Sequence, residues 1–140
     1  MTMAFVLWIV FGLVTGAATI ALARALDRER ALLGGLLVGL GIWYLVWGVA
    51  DGRSFDVLAP QILGGVFFSI CGVSGLRSSL VFLAIGWTLH AGWDFASPLF
   101  SDVSYMPSWT APACLGYDLL LGGYLFRQSR QNTPTAITEA

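Results

Sequence analysis

His90 and Asp94 stand one helical turn apart, and Asp118 lies in the middle of the next apolar run, Trp109 to Phe126. These are the side chains through which this sequence could do chemistry. His90 is the only histidine, and imidazole titrates near neutrality, so it can hold a proton in transit or act as a base. Where two carboxyl groups share a site, one can serve as the acid while its neighbour stays ionised. Indole faces stabilise developing cations through the ring quadrupole. Trp87 and Trp93 flank His90, and Trp43, Trp47, Gln61 and Tyr117 occur on runs that could face it. His90, Asp94 and Asp118 are therefore candidate catalytic residues, and Trp43, Trp47, Trp87, Trp93, Tyr117 and Gln61 candidate substrate contacts. The set suits acid–base work on a lipophilic, isoprenoid- or lipid-like molecule: cyclisation, isomerisation, epoxide opening, or hydrolysis by an activated water.

The elements that must position these groups belong in lipid. Hydrophobic residues make up 57% and charged residues 11% of 140 residues, and the mean hydropathy is +0.79. A soluble domain carries about a quarter charged residues. At membrane depth an ionisable side chain costs at least about 2.5–3.5 kcal/mol on insertion scales, so it faces the bundle interior and finds a partner. The formal net charge of −1 gives no sign of a nucleic-acid partner.

Five hydrophobic stretches can be drawn, Met3–Ala23, Ala31–Ala50, Val57–Gly75, Ser79–Ser97 and Trp109–Phe126. Each is near the roughly 20 residues that cross a hydrocarbon core as a helix. The expected fold is an all-α transmembrane bundle of about five helices, with residues 1–130 as one domain and 131–140 as a disordered polar tail. The chain has no lysine, and six arginines (Arg24, Arg28, Arg30, Arg77, Arg127, Arg130) fall on one side against Arg53 on the other. The positive-inside rule then puts the amino terminus outside and the carboxyl terminus in the cytoplasm. The basic cluster follows the first apolar stretch rather than preceding it, so that stretch reads as a retained helix and not a signal peptide.

With this topology His90 lies roughly 10–12 Å below the outer surface, Asp118 at about the same depth, and Asp94 one turn higher. Residues three and four apart share a helix face. That gives the stripes Leu83, Trp87, His90, Asp94, Ser97 on the fourth helix and Ala111, Cys114, Asp118, Gly122, Leu125 on the fifth. Leu40, Trp43, Trp47 and Asp51 form the stripe expected on the second. Facing one another, they would enclose a histidine and its carboxylates in indole walls.

Blander readings stand beside this one. Trp43, Tyr44, Trp47, Trp93, Tyr105 and Trp109 also fit an aromatic belt at headgroup level, and His90 and Asp94 could bond each other only to fix their helix. Gly12, Gly16, Gly35, Gly39, Gly122 and Gly123 are small residues that let helices approach in lipid, and such faces also offer a homo-oligomer contact. Cys71 and Cys114 lie at different depths, too far apart for a disulfide. With one histidine and no CxxC, no metal is assigned, although His90, Asp94 and Asp118 with waters would suit a hard divalent ion. Phosphate-loop, dinucleotide and serine-elbow motifs are absent, so no cofactor is expected. Besides an enzyme, the residues fit a non-enzymatic small-molecule or proton-linked binding or transport protein, and thirdly an accessory membrane protein.

Ile85–Asp94, I-G-W-T-L-H-A-G-W-D, followed by Met106–Leu121, M-P-S-W-T-A-P-A-C-L-G-Y-D-L-L-L, resembles a pattern in short bacterial integral membrane proteins catalogued as a domain of unknown function. In that pattern an H-x-x-W-D helix precedes a P-x-W-x-x-P-x-C-x-x-x-D helix. A second histidine common after H-x-x-W-D is missing between Phe95 and Ser101, which counts against a metal. The resemblance implies a shared buried site at His90, Trp93, Asp94 and Asp118, and a multi-pass protein of the bacterial cytoplasmic membrane. It supplies no reaction.

Overall fold

The computed structural model of the protein describes residues 3–99 and 101–131. It is all-helical: α1 Met3–Ala25, α2 Glu29–Ala50, α3 Phe55–Arg77, α4 Leu80–Ala96 and α5 Thr110–Gln131, with a short 3-10 turn Ser97–Leu99 after α4. Three of these, α1, α2 and α3, are long and apolar enough to cross a membrane, and at 1.5 Å per residue their 22–23 residues reach about 33–35 Å. α4 is shorter, at 17 residues. α5 runs past the expected end at Phe126 to Gln131, because its last turns have work to do. Tyr124 donates its hydroxyl to Glu29 at 2.7 Å and Gln128 its amide to the same carboxylate at 2.7 Å. Gln131 is thus the last residue of α5 rather than the first of a tail, and the rest of the expected tail, 132–140, lies outside the described residues.

The helices pack as two antiparallel pairs, α2 along α3 and α4 along α5. α3 joins the pairs through α4, and α1 lies along the outer side of α5 with little contact to α2. Very close approaches fix these pairs. A Cβ added to Gly41 would lie 2.8 Å from the Gly65 carbonyl oxygen, and one added to Gly72 would lie 2.9 Å from that of Gly34, so α2 and α3 touch backbone to backbone. Gly12 and Gly116 do the same for α1 and α5. Of the glycines expected at contacts, Gly12, Gly16 and Gly122 are there, whereas Gly35, Gly39 and Gly123 face open space. The α2–α3 pair forms on Gly34, Gly41, Gly65 and Gly72 instead, one and two positions from the glycines expected on α2.

The core lies between α2, α3, α4 and α5, with Leu33, Leu37, Phe68, Leu83, Trp87, Leu121 and Leu125 buried in it. At one end the 97–109 connection is clasped to the α2–α3 loop. Arg53 bonds Asp51 at 2.8 Å and Asp102 at 2.7 Å, and its guanidinium sits 5.3 Å from the centre of the Tyr105 ring. Hydrogen bonds from Ser104, helped by Arg53, hold the Asp102 carboxyl below the usual carboxylate range. The Ser101 hydroxyl donates to the Val57 carbonyl at 2.8 Å, closing the loop down on α3.

Candidate acid–base site

Apolar neighbours at i±3 and i±4 turn one stripe of α4 inward, and Leu83, Trp87, His90, Asp94 and Ser97 are all buried. The α5 stripe faces it, with Asp118, Gly122 and Leu125 buried and Cys114 half-buried. A Cβ on Gly122 would meet Thr88 and Ala84, so no larger residue there would let the two helices close. This approach brings His90 Nδ1 to 2.7 Å from Asp118 Oδ2, with the two side chains 1% and 0% exposed. Asp94 sits a turn higher on α4, 3% exposed. It accepts the Tyr44 hydroxyl at 2.6 Å.

The expected rotation of α2 needs correction. Trp43 and Trp47 are 41% and 39% exposed and pack edge to face on each other, ring centroids 5.8 Å apart, outside the cluster. The inward face runs Leu33, Leu37, Gly41, Tyr44, Gly48, offset by one position from the expected stripe. Gly41 against Gly65 and Gly34 against Gly72 set that rotation, and Tyr44 follows them inward. Tyr44 is therefore the site residue that sequence reasoning left in the aromatic belt.

The remaining candidates divide between two walls. On the α3 side, Gln61 is buried and its Oε1 accepts the Trp93 indole N–H at 3.1 Å. Phe68 packs edge-on against both His90 and Trp93, at 4.8 and 5.9 Å between centroids. On the α1 side, Tyr117 donates to Thr19 at 3.1 Å and its ring lies 5.5 Å from that of Trp87. Trp87, Cys114 and Tyr117, with Phe11, Leu40 and Trp109, line an apolar cleft of about 230 Å³ between α1 and the rest of the bundle.

One carboxylate on the imidazole, a second carboxyl one turn away and a phenol behind it make an arrangement able to hold, donate and accept protons out of contact with bulk water. Ligand atoms of His90, Asp94 and Asp118, one from each, lie within 4.8 Å of one another and could converge on one hard cation. A match to a family model covers residues 6–131, from α1 to the end of α5. The chain belongs to the family of unknown function DUF6010. The DUF6010 match includes the whole cluster, agreeing with the resemblance to a domain of unknown function seen in the sequence. No curated protein and no solved structure matches the chain.

Proposed function

We propose that the protein is a small multi-pass membrane enzyme that performs acid–base chemistry on a lipophilic, isoprenoid- or lipid-like substrate. In this reading residues 1–130 form one membrane-embedded domain of the bacterial cytoplasmic membrane, amino terminus outside. The observation that carries the proposal is the buried 2.7 Å contact between His90 and Asp118 beside Asp94. A structural tether between α4 and α5 needs no second carboxyl at the same place. With its Nδ1 proton facing Asp118, the imidazole is fixed in orientation and tautomer and presents Nε2 as the base. Asp94, gripped by Tyr44, is the group that returns the proton. Removing a proton at one carbon and restoring one at another is an isomerisation or cyclisation with no co-reactant. The cleft beside Trp87, Cys114 and Tyr117 supports lateral entry from lipid. Its 230 Å³ falls below the roughly 300–1,000 Å³ of drug-sized sites, so it suits one end of a long substrate.

The test joins turnover to stability. Purified protein is incubated with the lipid extract of its host membrane, and products are followed by mass spectrometry. His90→Gln and Asp118→Asn should each lower turnover about 10²–10⁴-fold, the range for loss of a general acid or base, while melting in detergent stays close to wild type. A purely structural pair would instead lose several kcal/mol on removal of one partner, with no separate functional defect, and that outcome would overturn the reading.

Proton-linked binding or carriage is the second reading, favoured by how completely His90, Asp94 and Asp118 are enclosed. A lipophile that binds with proton uptake and is released chemically unchanged would decide for it.

A further inference from the structure

The fold treats the two tryptophans of α4 differently. Trp93 gives its indole N–H to Gln61 at 3.1 Å. Trp87, further from the loop end of the helix and 0% exposed, gives its own to nothing among the described residues. A buried indole N–H usually has an acceptor. The core that holds Trp87, with Leu33, Leu37, Leu83 and Leu121, is hydrocarbon and offers none. Trp87 also borders the apolar cleft of about 230 Å³ between α1 and the rest of the bundle, and through that cleft an acceptor can arrive.

The hydroxyl donors along the cleft are engaged elsewhere. Thr15 gives its hydroxyl to the Phe11 and Gly12 carbonyls of its own helix, at 2.9 and 3.0 Å, and Tyr117 gives its own to Thr19 at 3.1 Å. The Cys114 thiol is a weak donor, and Trp109 is 40% exposed. No cationic side chain lines the cleft. Its wall is therefore hydrocarbon and aromatic, with one desolvated donor left over. An oxygen carried into hydrocarbon without a donor is as costly as an N–H without an acceptor, so one hydrogen bond between them relieves both. A carboxylate or phosphate would bring a charge that nothing in the cleft balances, which selects a neutral oxygen.

Depth narrows the source of that oxygen. Trp87 lies nine residues from the Ala96 end of α4, about 14 Å along the axis. In the bilayer placement proposed above, that is near the middle of a hydrocarbon core about 30 Å thick, well below the interfacial region that holds phospholipid headgroups.

We propose that the cleft binds one end of a neutral lipophile bearing a ketone, ester, epoxide or hydroxyl oxygen, and that this oxygen accepts the Trp87 indole N–H. The proposal deepens the acid–base reading by naming the substrate class, and rests on it for what happens to the ligand once held. Trp87 precedes His90 by one turn on the same face of α4, which sets the anchored end within a turn of the proposed base.

The probes are undecyl methyl ketone, tridecane and dodecanoate, added to the protein in lipid nanodiscs. With ¹⁵N-tryptophan labelling, and single Trp→Phe replacements to assign the indole signals, the ketone should move the Trp87 N–H downfield and leave that of Trp93 in place. Tridecane and dodecanoate should move neither. Trp87→Phe should weaken ketone binding about tenfold, roughly the worth of one hydrogen bond, as followed by the ¹³C signal of the ketone carbonyl. If Trp87→Phe does not fold, Thr15→Phe carries the comparison: it fills the cleft from α1 and should abolish the Trp87 shift. No Trp87 shift with the ketone, an equal shift with tridecane or dodecanoate, or ketone binding indifferent to whichever variant folds would each overturn the site. Binding as expected with no conversion of any neutral lipophile would sink the enzymatic reading and leave the site standing. Turnover of a lipophile that leaves the Trp87 signal unmoved would do the opposite.

Discussion

Tyr44 reaches Asp94 with a 2.6 Å hydrogen bond while its neighbours Trp43 and Trp47 face outward. This is where side-chain type alone misleads. All three are amphipathic aromatics, and each satisfies the preference for headgroup depth. The convergence of His90, Asp94 and Asp118, by contrast, was legible, because an ionisable group in an apolar run must find a partner and few were on offer. The difference can be measured. Tyr44→Phe leaves a buried carboxylate oxygen without its donor and should cost about 1–3 kcal/mol, seen as a lowered melting temperature in detergent. Trp43→Phe and Trp47→Phe change surface positions and should stay within about 0.5 kcal/mol. Equal effects from all three would mean that α2 is rotated otherwise.

Helix existence could be read from run length, and helix rotation could not. α2 is apolar nearly all round, so hydropathy gives its faces no contrast. What selects its inward face is backbone proximity, through Gly34 and Gly41 against Gly72 and Gly65. A sequence cannot say which of its glycines are short of room, as Gly35 and Gly39, one and two positions from true contacts, demonstrate. Gly41→Ala and Gly116→Ala should overpack backbone contacts and destabilise by about 1–3 kcal/mol, lowering the yield of folded protein. Gly35→Ala and Gly39→Ala meet nothing within 4 Å and should be neutral, or stabilising by up to about 1 kcal/mol through helix propensity. Thermal unfolding of the four variants checks the ordering.

For the whole molecule, arginine distribution is the guide to sidedness, and on it we propose that the clasped loop after α4, with the polar end of the bundle, faces outside. After replacement of Cys71 and Cys114, Ser108→Cys should react with an impermeant thiol reagent in intact cells and Ser78→Cys should not. The reverse pattern would invert the molecule and put its polar end in the cytoplasm. Both positions are exposed, so accessibility alone does not bias the comparison.

The docking of α1 on α5 rather than on its neighbour α2 also bears on how the chain is made. During synthesis α1 enters the bilayer first, with Gly12 and Gly16 already displayed, yet the surface that fits them is on the order of 100 residues away along the chain. At roughly 5–20 residues per second that is a wait on the order of 5–20 s. Meanwhile α2 and α3, joined by a short loop, can pair as soon as α3 is inserted. The first helix to be inserted is thus among the last to find its place, and the wall it contributes to the cleft is built only when α5, carrying Asp118, has arrived.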